Sequence, residues 1–283
     1  MDKFKESLLE TFEGFISFCE QHNLKYFAVA GTLLGTIRHK GFIPWDDDLD
    51  VCMPREDYER FVSLKEEAKP SWEILDVNSK GYALDFAKFC NFNTTLLQKP
   101  GEMVMGTYID VFPLDEYNKE AYIKLKKYQK IYYYAWIVYR QSQRRYSSKY
   151  IYNELKKHKW NVILLVSIAL ICRLLSIPLK YLIMQIQKII KSSKGDKYMY
   201  WSFLPDWVRV MEKGWFDETI KLPFEHLQIV CPKGYDAYLT LLYGDYMTPP
   251  PVDRQIAEQH EHFYLNIHKR MSLKEIERDL YEK

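Results

Sequence analysis

The sequence predicts a mixed α/β fold, an α+β mixed sheet interrupted by a long helical insertion that is both basic and apolar. Three observations predict it. Between residues 26 and 112, short apolar or alternating runs recur with helix-like segments between them. From about 119 to 193 the strand-like runs stop and the pattern becomes helical. The 283 residues are 47% hydrophobic and 28% charged, enough to bury the core of one large domain, or a domain with an appendage, and too apolar for a disordered chain.

The elements follow in order. Lys3 to Gln21 places Leu8, Phe12, Phe15, Ile16 and Cys19 at helical spacing, which predicts an amphipathic helix. Tyr26 to Ala30 reads as a short buried strand ending at Gly31-Thr32, either of which would cap a helical turn through Leu33, Leu34 and Ile37. Gly41 to Trp45 is a loop. Asp48 to Met53 alternates polar and apolar residues and reads as a strand, and Pro54 opens a helix from Arg55 to about Glu67. Further strands are expected at Trp72 to Val77, Leu84 to Phe92 and Val104 to Phe112. The C-terminal part has two turn-rich passages, Cys231 to Asp236 and Met247 to Pro251, and closes on a charged helix from about Leu273. Three regions result: a catalytic core over 1–118, the insertion over 119–200, and a C-terminal part over 201–283 that completes the core.

The five cysteines lie far apart with no C-x-x-C pair, which excludes a zinc ribbon and a secreted disulfide scaffold and suits a reducing compartment. Met1 to Glu10 carries charge throughout and offers no signal-peptide apolar region, so a cytoplasmic location is expected.

Charge is unevenly spread. Between Ala121 and Tyr200 there are 17 Lys or Arg and two acids, a local charge of +15; the rest holds 23 basic and 36 acidic groups. Such a block implies an anionic partner or, more simply, a solvated helical face. It also contains the most apolar stretch, Val162 to Cys172, flanked by Lys156, Lys157 and Lys159 before and Lys188, Lys191 and Lys194 after. Eleven helical residues reach only ~16 Å, about half of a hydrocarbon core. The expectation is peripheral membrane contact through about 156–194, at the inner face of the cell membrane; the alternative is a helix pair buried in the core. The aromatic run Ile131 to Trp136 near Arg140, Arg144 and Arg145 reads as a helix burying its face, and no nucleic-acid partner is expected. His260 and His262 form an H-x-H pair that would diverge on a helix and make a poor metal site.

The chemistry concentrates in Asp46, Asp47, Asp48 and Asp50. On a strand Asp48 and Asp50 point to one face, joined by Asp46 if the strand starts that early, while Leu49 and Val51 face the core. Like charges this close raise each other's pKa unless a cation lies between them, and an all-oxygen site suits Mg²⁺ or Mn²⁺. Asp110, between apolar neighbours on another expected strand, is a third carboxylate that is costly to bury unless paired or bound to metal. The set matches metal-assisted phosphoryl transfer, with Asp110 sharing the metal or taking the acceptor's proton. Gly31-Thr32 can bring backbone N–H groups to phosphate, and Arg38 adds positive charge.

These residues resemble the LicD family of phosphotransferases, which is similar to the fukutins and belongs to the nucleotidyltransferase fold. The resemblance rests on Gly31-Thr32-Leu33-Leu34-Gly35, Arg38, the run from Gly41 to Asp50, and Ile109 to Asp115. It continues at Tyr243-Gly244-Asp245-Tyr246-Met247, Pro249-Pro250 and Arg254, covering roughly Lys3 to His260 but without a matching motif in the insertion. It implies a nucleotidyltransferase-like core that moves phosphocholine from CDP-choline to a hydroxyl of a cell-surface glycan, such as teichoic acid, lipopolysaccharide or capsule, with release of CMP. By position it implies Asp48 and Asp50 on catalytic Mg²⁺, Asp110 as the third carboxylate and Asp46 in support. Arg38 and Lys88 become candidates for the donor's phosphates. The scattered cysteines offer no ligands for the structural zinc of some fukutin-like relatives. A quaternary ammonium wants an aromatic cage, for which Trp45 is the best single candidate, although packing against Phe42 would equally explain it. The rival readings are another CDP-linked donor (ribitol, glycerol, ethanolamine) and a non-catalytic, membrane-associated scaffold of glycan assembly. The acceptor is expected to be lipid-linked.

Overall fold

The computed structural model describes residues 2–82, 84–174, 176–192, 194–200, 209–255 and 262–282. Helix α1 (Lys3–Gln21) opens the chain as expected; the Asp2 carboxylate accepts the Lys5 N–H at 2.8 Å as its N-terminal cap. Its buried face, with Phe12 and Phe15 fully enclosed, packs inward, where Phe15 meets Phe61 of the third helix and Phe89 of the sheet edge-on at 6.0 and 5.6 Å. Then come β1 (Phe27–Ala28), α2 (Ala30–His39), β2 (Asp50–Pro54), α3 (Arg55–Ser63), β3 (Trp72–Leu75), β4 (Ala87–Asn91), β5 (Thr95–Leu97) and β6 (Tyr108–Tyr117).

The central sheet runs in the order β1-β2-β6-β4-β3. Only β2 and β6 are parallel among these pairs. This mixed sheet with helices bears out the expected α/β class. The insertion comprises α4 (Lys119–Gln143), α5 (Ser148–Lys156), α6 (Asn161–Leu174) and α7 (Ser176–Lys191). The chain then returns as β7 (Lys197–Tyr200), which pairs antiparallel with the far end of β6, and β8 (Arg209–Glu212), which pairs with β7, giving seven strands. The expected boundary at 200/201 abuts residues 201–208, which lie outside the described residues. A hairpin of β9 (Thr219–Phe224) and β10 (Leu227–Pro232), helix α8 (Tyr235–Tyr243), β11 (Tyr264–Asn266) and α9 (Leu273–Tyr281) complete the fold. β11 pairs with β5.

Several expectations are corrected. The cap of α2 is Val29, with no side-chain hydrogen bond, rather than Gly31 or Thr32. The strand expected from Asp48 starts at Asp50, so Asp46 to Asp48 belong to the preceding loop. The helix after Pro54 ends at Ser63, four residues early. The strand expected over 104–112 runs over 108–117 instead. Within 104–107 the pairing goes elsewhere: Met105 bridges Leu96 in an isolated antiparallel contact, and the Thr107 N–H donates to the Thr94 hydroxyl at 2.8 Å.

No helix among the described residues is long and apolar enough to cross a membrane. Nor is α6 a buried core helix: Val162, Ala169 and Cys172 are covered, while Ile163, Leu164, Leu170, Ile171 and Leu174 are exposed. Of the H-x-H pair, His260 lies outside the described residues, and the His262 ring lies 4.2 Å from that of Phe4.

Candidate active site

A cavity of about 330 Å³ opens where the start of α2, the loop before β2, and strands β6, β7 and β8 converge, with α8 closing it. Asp46, Asp48 and Asp50 line one end with Ala30 and Gly31; Phe112, Tyr200, Arg209, Tyr238 and Tyr243 line the remainder with apolar neighbours. Arg209 is the one Lys or Arg in the lining among the described residues.

Local structure explains the carboxylate end. Gly31 has no Cβ for a specific reason: one placed there would lie 2.4 Å from the Asp46 Oδ2. The missing side chain lets the carboxylate lie against the start of α2. Ala30 just before it adopts φ +46°, a left-handed conformation unusual for a residue with a side chain, and its N–H donates to the Tyr238 hydroxyl at 3.2 Å. The Thr32 hydroxyl accepts the Asp50 N–H at 2.7 Å. Thr32 is therefore buried behind Asp50 and outside the cavity lining, where it holds the backbone of the first β2 residue.

Parallel pairing of β2 with β6 sets Asp50 beside Asp110 on one rung. Antiparallel pairing of β4 with β6 sets Lys88 beside Asp110 on the other side. The Lys88 ammonium donates to the Asp110 carboxylate in a buried ion pair and lies 3.3 Å above the Tyr108 ring centroid. Lys88 faces a second, smaller cavity of about 50 Å³ with Glu102, Arg140 and Arg144, away from the main lining. Arg38 donates to the Tyr246 carbonyl at 2.8 Å and lies 6.0 Å from the Trp45 ring centroid. Trp45 meets the His39 ring edge-on, Phe42 packs on Phe224 instead, and neither Arg38 nor Trp45 lines the main cavity. Asp115, in the same quoted run as Asp110, is structural: it takes two hydrogen bonds of 2.7 Å from Arg55 at the start of α3.

The carboxylates feel one another. Burial first, then Asp48, Asp110 and Asp46, push the Asp50 pKa well above its ordinary value, against an opposing pull from Lys88. Burial raises Asp46 too; a hydrogen bond from Asp48 works against the rise and the charge of Asp47 adds to it. Burial and then Asp50, Asp46 and Asp48 push the Tyr243 phenol upward. The site thus gathers more negative charge than its own cations balance.

That imbalance fits a hard divalent cation. Among the described residues no group of three or more His, Cys, Asp or Glu side chains is placed to hold a metal ion by itself. An open site is what Mg²⁺ prefers, since it takes one or two carboxylates and leaves other positions to water and substrate phosphate. Asp48 and Asp50 supply such a pair.

Sequence reasoning missed Arg209, Tyr200, Phe112 and Tyr238 as lining residues. Phe112 and Tyr243 did lie in quoted runs, Ile109 to Asp115 and Tyr243-Gly244-Asp245-Tyr246, but without an assigned role. Arg209 and Tyr200 face each other across the β7–β8 pair, a relationship no local pattern encodes.

Comparison with known proteins agrees with this geometry. Residues 23–161, which include all the carboxylates above, match the family model described as LicD/FKTN/FKRP, nucleotidyltransferase domain. The lipopolysaccharide cholinephosphotransferase LicD of Haemophilus influenzae is 29% identical over 263 residues, covering 87% of this chain and 91% of the relative. An uncharacterised protein of Rickettsia typhi is 31% identical over 109 residues, 38% of this chain and 34% of its own. Site, sheet and both kinds of likeness agree: residues 23–161 carry a LicD-type nucleotidyltransferase domain, and most of the chain is similar to a LicD phosphotransferase.

Proposed function

We propose that the enzyme moves phosphocholine from CDP-choline to a hydroxyl of a cell-surface glycan, lipopolysaccharide being the acceptor class named for the Haemophilus relative. The observation that carries the reading is one cavity lined by three carboxylates, Asp46, Asp48 and Asp50, by several aromatic rings and, among the described residues, by one arginine.

In this reading Asp48 and Asp50 hold a divalent cation, and Asp110, on the adjoining rung, completes the carboxylate set. A bound Mg²⁺ would neutralise the diphosphate and stabilise the charge that develops on the leaving CMP. Arg209 binds a non-bridging phosphate oxygen, for which a guanidinium fork is suited. Tyr200, Tyr243 and Phe112 offer ring faces to the trimethylammonium group. The acceptor oxygen attacks the phosphorus of the phosphocholine unit, the bond to the CMP oxygen breaks, and CMP leaves with that electron pair. The acceptor's proton passes to Asp46, the carboxylate of the lining that this reading does not assign to the cation. Gly31 keeps Asp46 in place and Thr32 acts through Asp50. Arg38, Trp45 and Lys88 have partners outside the lining and take no contact with the donor here. The acceptor is lipid-linked at the inner face of the cell membrane, and 156–194 makes peripheral contact there.

Phosphorus NMR of the purified protein with Mg²⁺ and CDP-choline, with and without glycan acceptor, tests the reaction. CMP formation should require acceptor and be lost in Asp48→Asn. Consumption of CDP-ribitol, CDP-glycerol or CDP-ethanolamine in its place would replace choline as the donor group. Absence of turnover and of binding with every donor would favour the scaffold.

A further inference from the structure

Helix α6 has two faces. Val162, Ala169 and Cys172 are buried, and the helix packs on α4. Taking about 100° per residue, Ile163, Leu164, Leu170, Ile171 and Leu174 fall in a sector of about 120° on the other side. These five are between 51% and 83% exposed. Trp160, 64% exposed, immediately precedes the helix in the same sector. A soluble surface rarely gathers six such side chains without something to cover them.

We propose that this sector of α6 lies flat in the headgroup boundary of an anionic bilayer. The inference rests on the membrane contact proposed above and assigns it to a face, an orientation and a lipid charge. Charge selects the occupant: the 121–200 block carries 17 basic and two acidic residues, a complement to anionic headgroups and a poor one to a second copy of itself. Glu154, one of the two acids, is engaged by Lys157 and Lys159. Lys156 and Lys188 add charge at either end of the helical segment, and long Lys stems reach headgroups while their neighbours enter the acyl boundary. Trp160 supplies the amphipathic ring favoured at that depth. A 14-residue helix is about 21 Å long, too short for a span. Lying in the plane, it needs to sink only about 5–10 Å to bury the sector.

Vesicle co-sedimentation of the full chain tests this without turnover, so it can fail while the reaction stands, or hold while the reaction fails. The wild type should sediment with phosphatidylglycerol-containing vesicles and much less with pure phosphatidylcholine. Leu164→Glu with Ile171→Glu should weaken binding by about tenfold or more, since it removes apolar insertion and adds repulsion. Both side chains are exposed, so the thermal transition should be unchanged; Ile163→Gln with Leu174→Gln gives a milder pair should the first not fold. Equal sedimentation of wild type and variant, or none with anionic vesicles, overturns the proposal. A lipid-free dimer abolished by the same substitutions would give the face to a second copy and also overturn it.

Discussion

Asp50 and Asp110 stand on one rung of the parallel ladder between β2 and β6, and the Asp110 N–H donates to the Leu49 carbonyl at 2.9 Å beside them. Neighbouring strands lie about 4.8 Å apart, so the sheet itself holds the cavity-lining Asp50 beside the buried Asp110. Their repulsion is built into the fold.

Asp50→Asn should therefore abolish transfer yet stabilise the cation-free protein, by about 1 kcal/mol, because one of several crowded negative charges is removed. Added Mg²⁺ should raise the thermal midpoint of the wild type and leave that of the variant nearly unchanged. Paired melting curves with and without the ion check both halves.

Lys88→Met should be costly in a different way. The ammonium is the buried partner of Asp110, and removing it strands a carboxylate inside the sheet. A loss of about 3 kcal/mol or more is expected in urea unfolding. Lys88→Met combined with Asp110→Asn should recover part of that loss, whereas simple loss of side-chain packing would not be rescued.

Arg209→Ala should raise the KM for the donor about tenfold or more, because the side chain lines the cavity at the β7–β8 pair. Arg209→Lys should restore only part of the affinity, since an ammonium lacks the two-pronged geometry. Steady-state kinetics with varied donor separate these outcomes.

Acid stability should depend on Asp76. Burial opposes its charge, but the Lys65 ammonium and the hydrogen bonds of Ser79 and Asn78 prevail and hold its pKa below the ordinary value. A carboxylate lowered on folding contributes stability above its unfolded pKa of about 3.9 and loses it as pH falls through the folded value. Asp76→Asn should thus lose less stability than the wild type between roughly pH 5 and pH 3, read from urea midpoints at each pH.

Local pattern made some of this architecture legible. Helix α1 begins and ends where its apolar spacing says, and the insertion reads as helical because nothing in it alternates with period two. The carboxylates were visible because charge between Leu49 and Val51 has few structural uses. What stayed hidden depends on distant partners. The expected strand stops at Phe112, yet it continues to Tyr117 because β2 pairs with Pro113 and Leu114 and β7 returns to pair with Asp115 to Tyr117. β5 and β11 have three residues each and exist through one another, across more than half the sequence. Lys88 looked like a phosphate ligand because sequence cannot show that the antiparallel register already supplies it with Asp110.

The return of the chain at β7 has a consequence for how the molecule can be remodelled. Tyr117 and Lys197 are paired residues of adjacent strands, so the helical block between them leaves the sheet and re-enters it at nearly the same point. Its two ends are pinned side by side. Closing a loop there costs chain entropy that grows only with the logarithm of loop length, so a block of different size could be grafted at that junction without opening the ladder. The sheet that carries the carboxylates and the helical block are in this sense separable parts, joined where two adjacent strands pair.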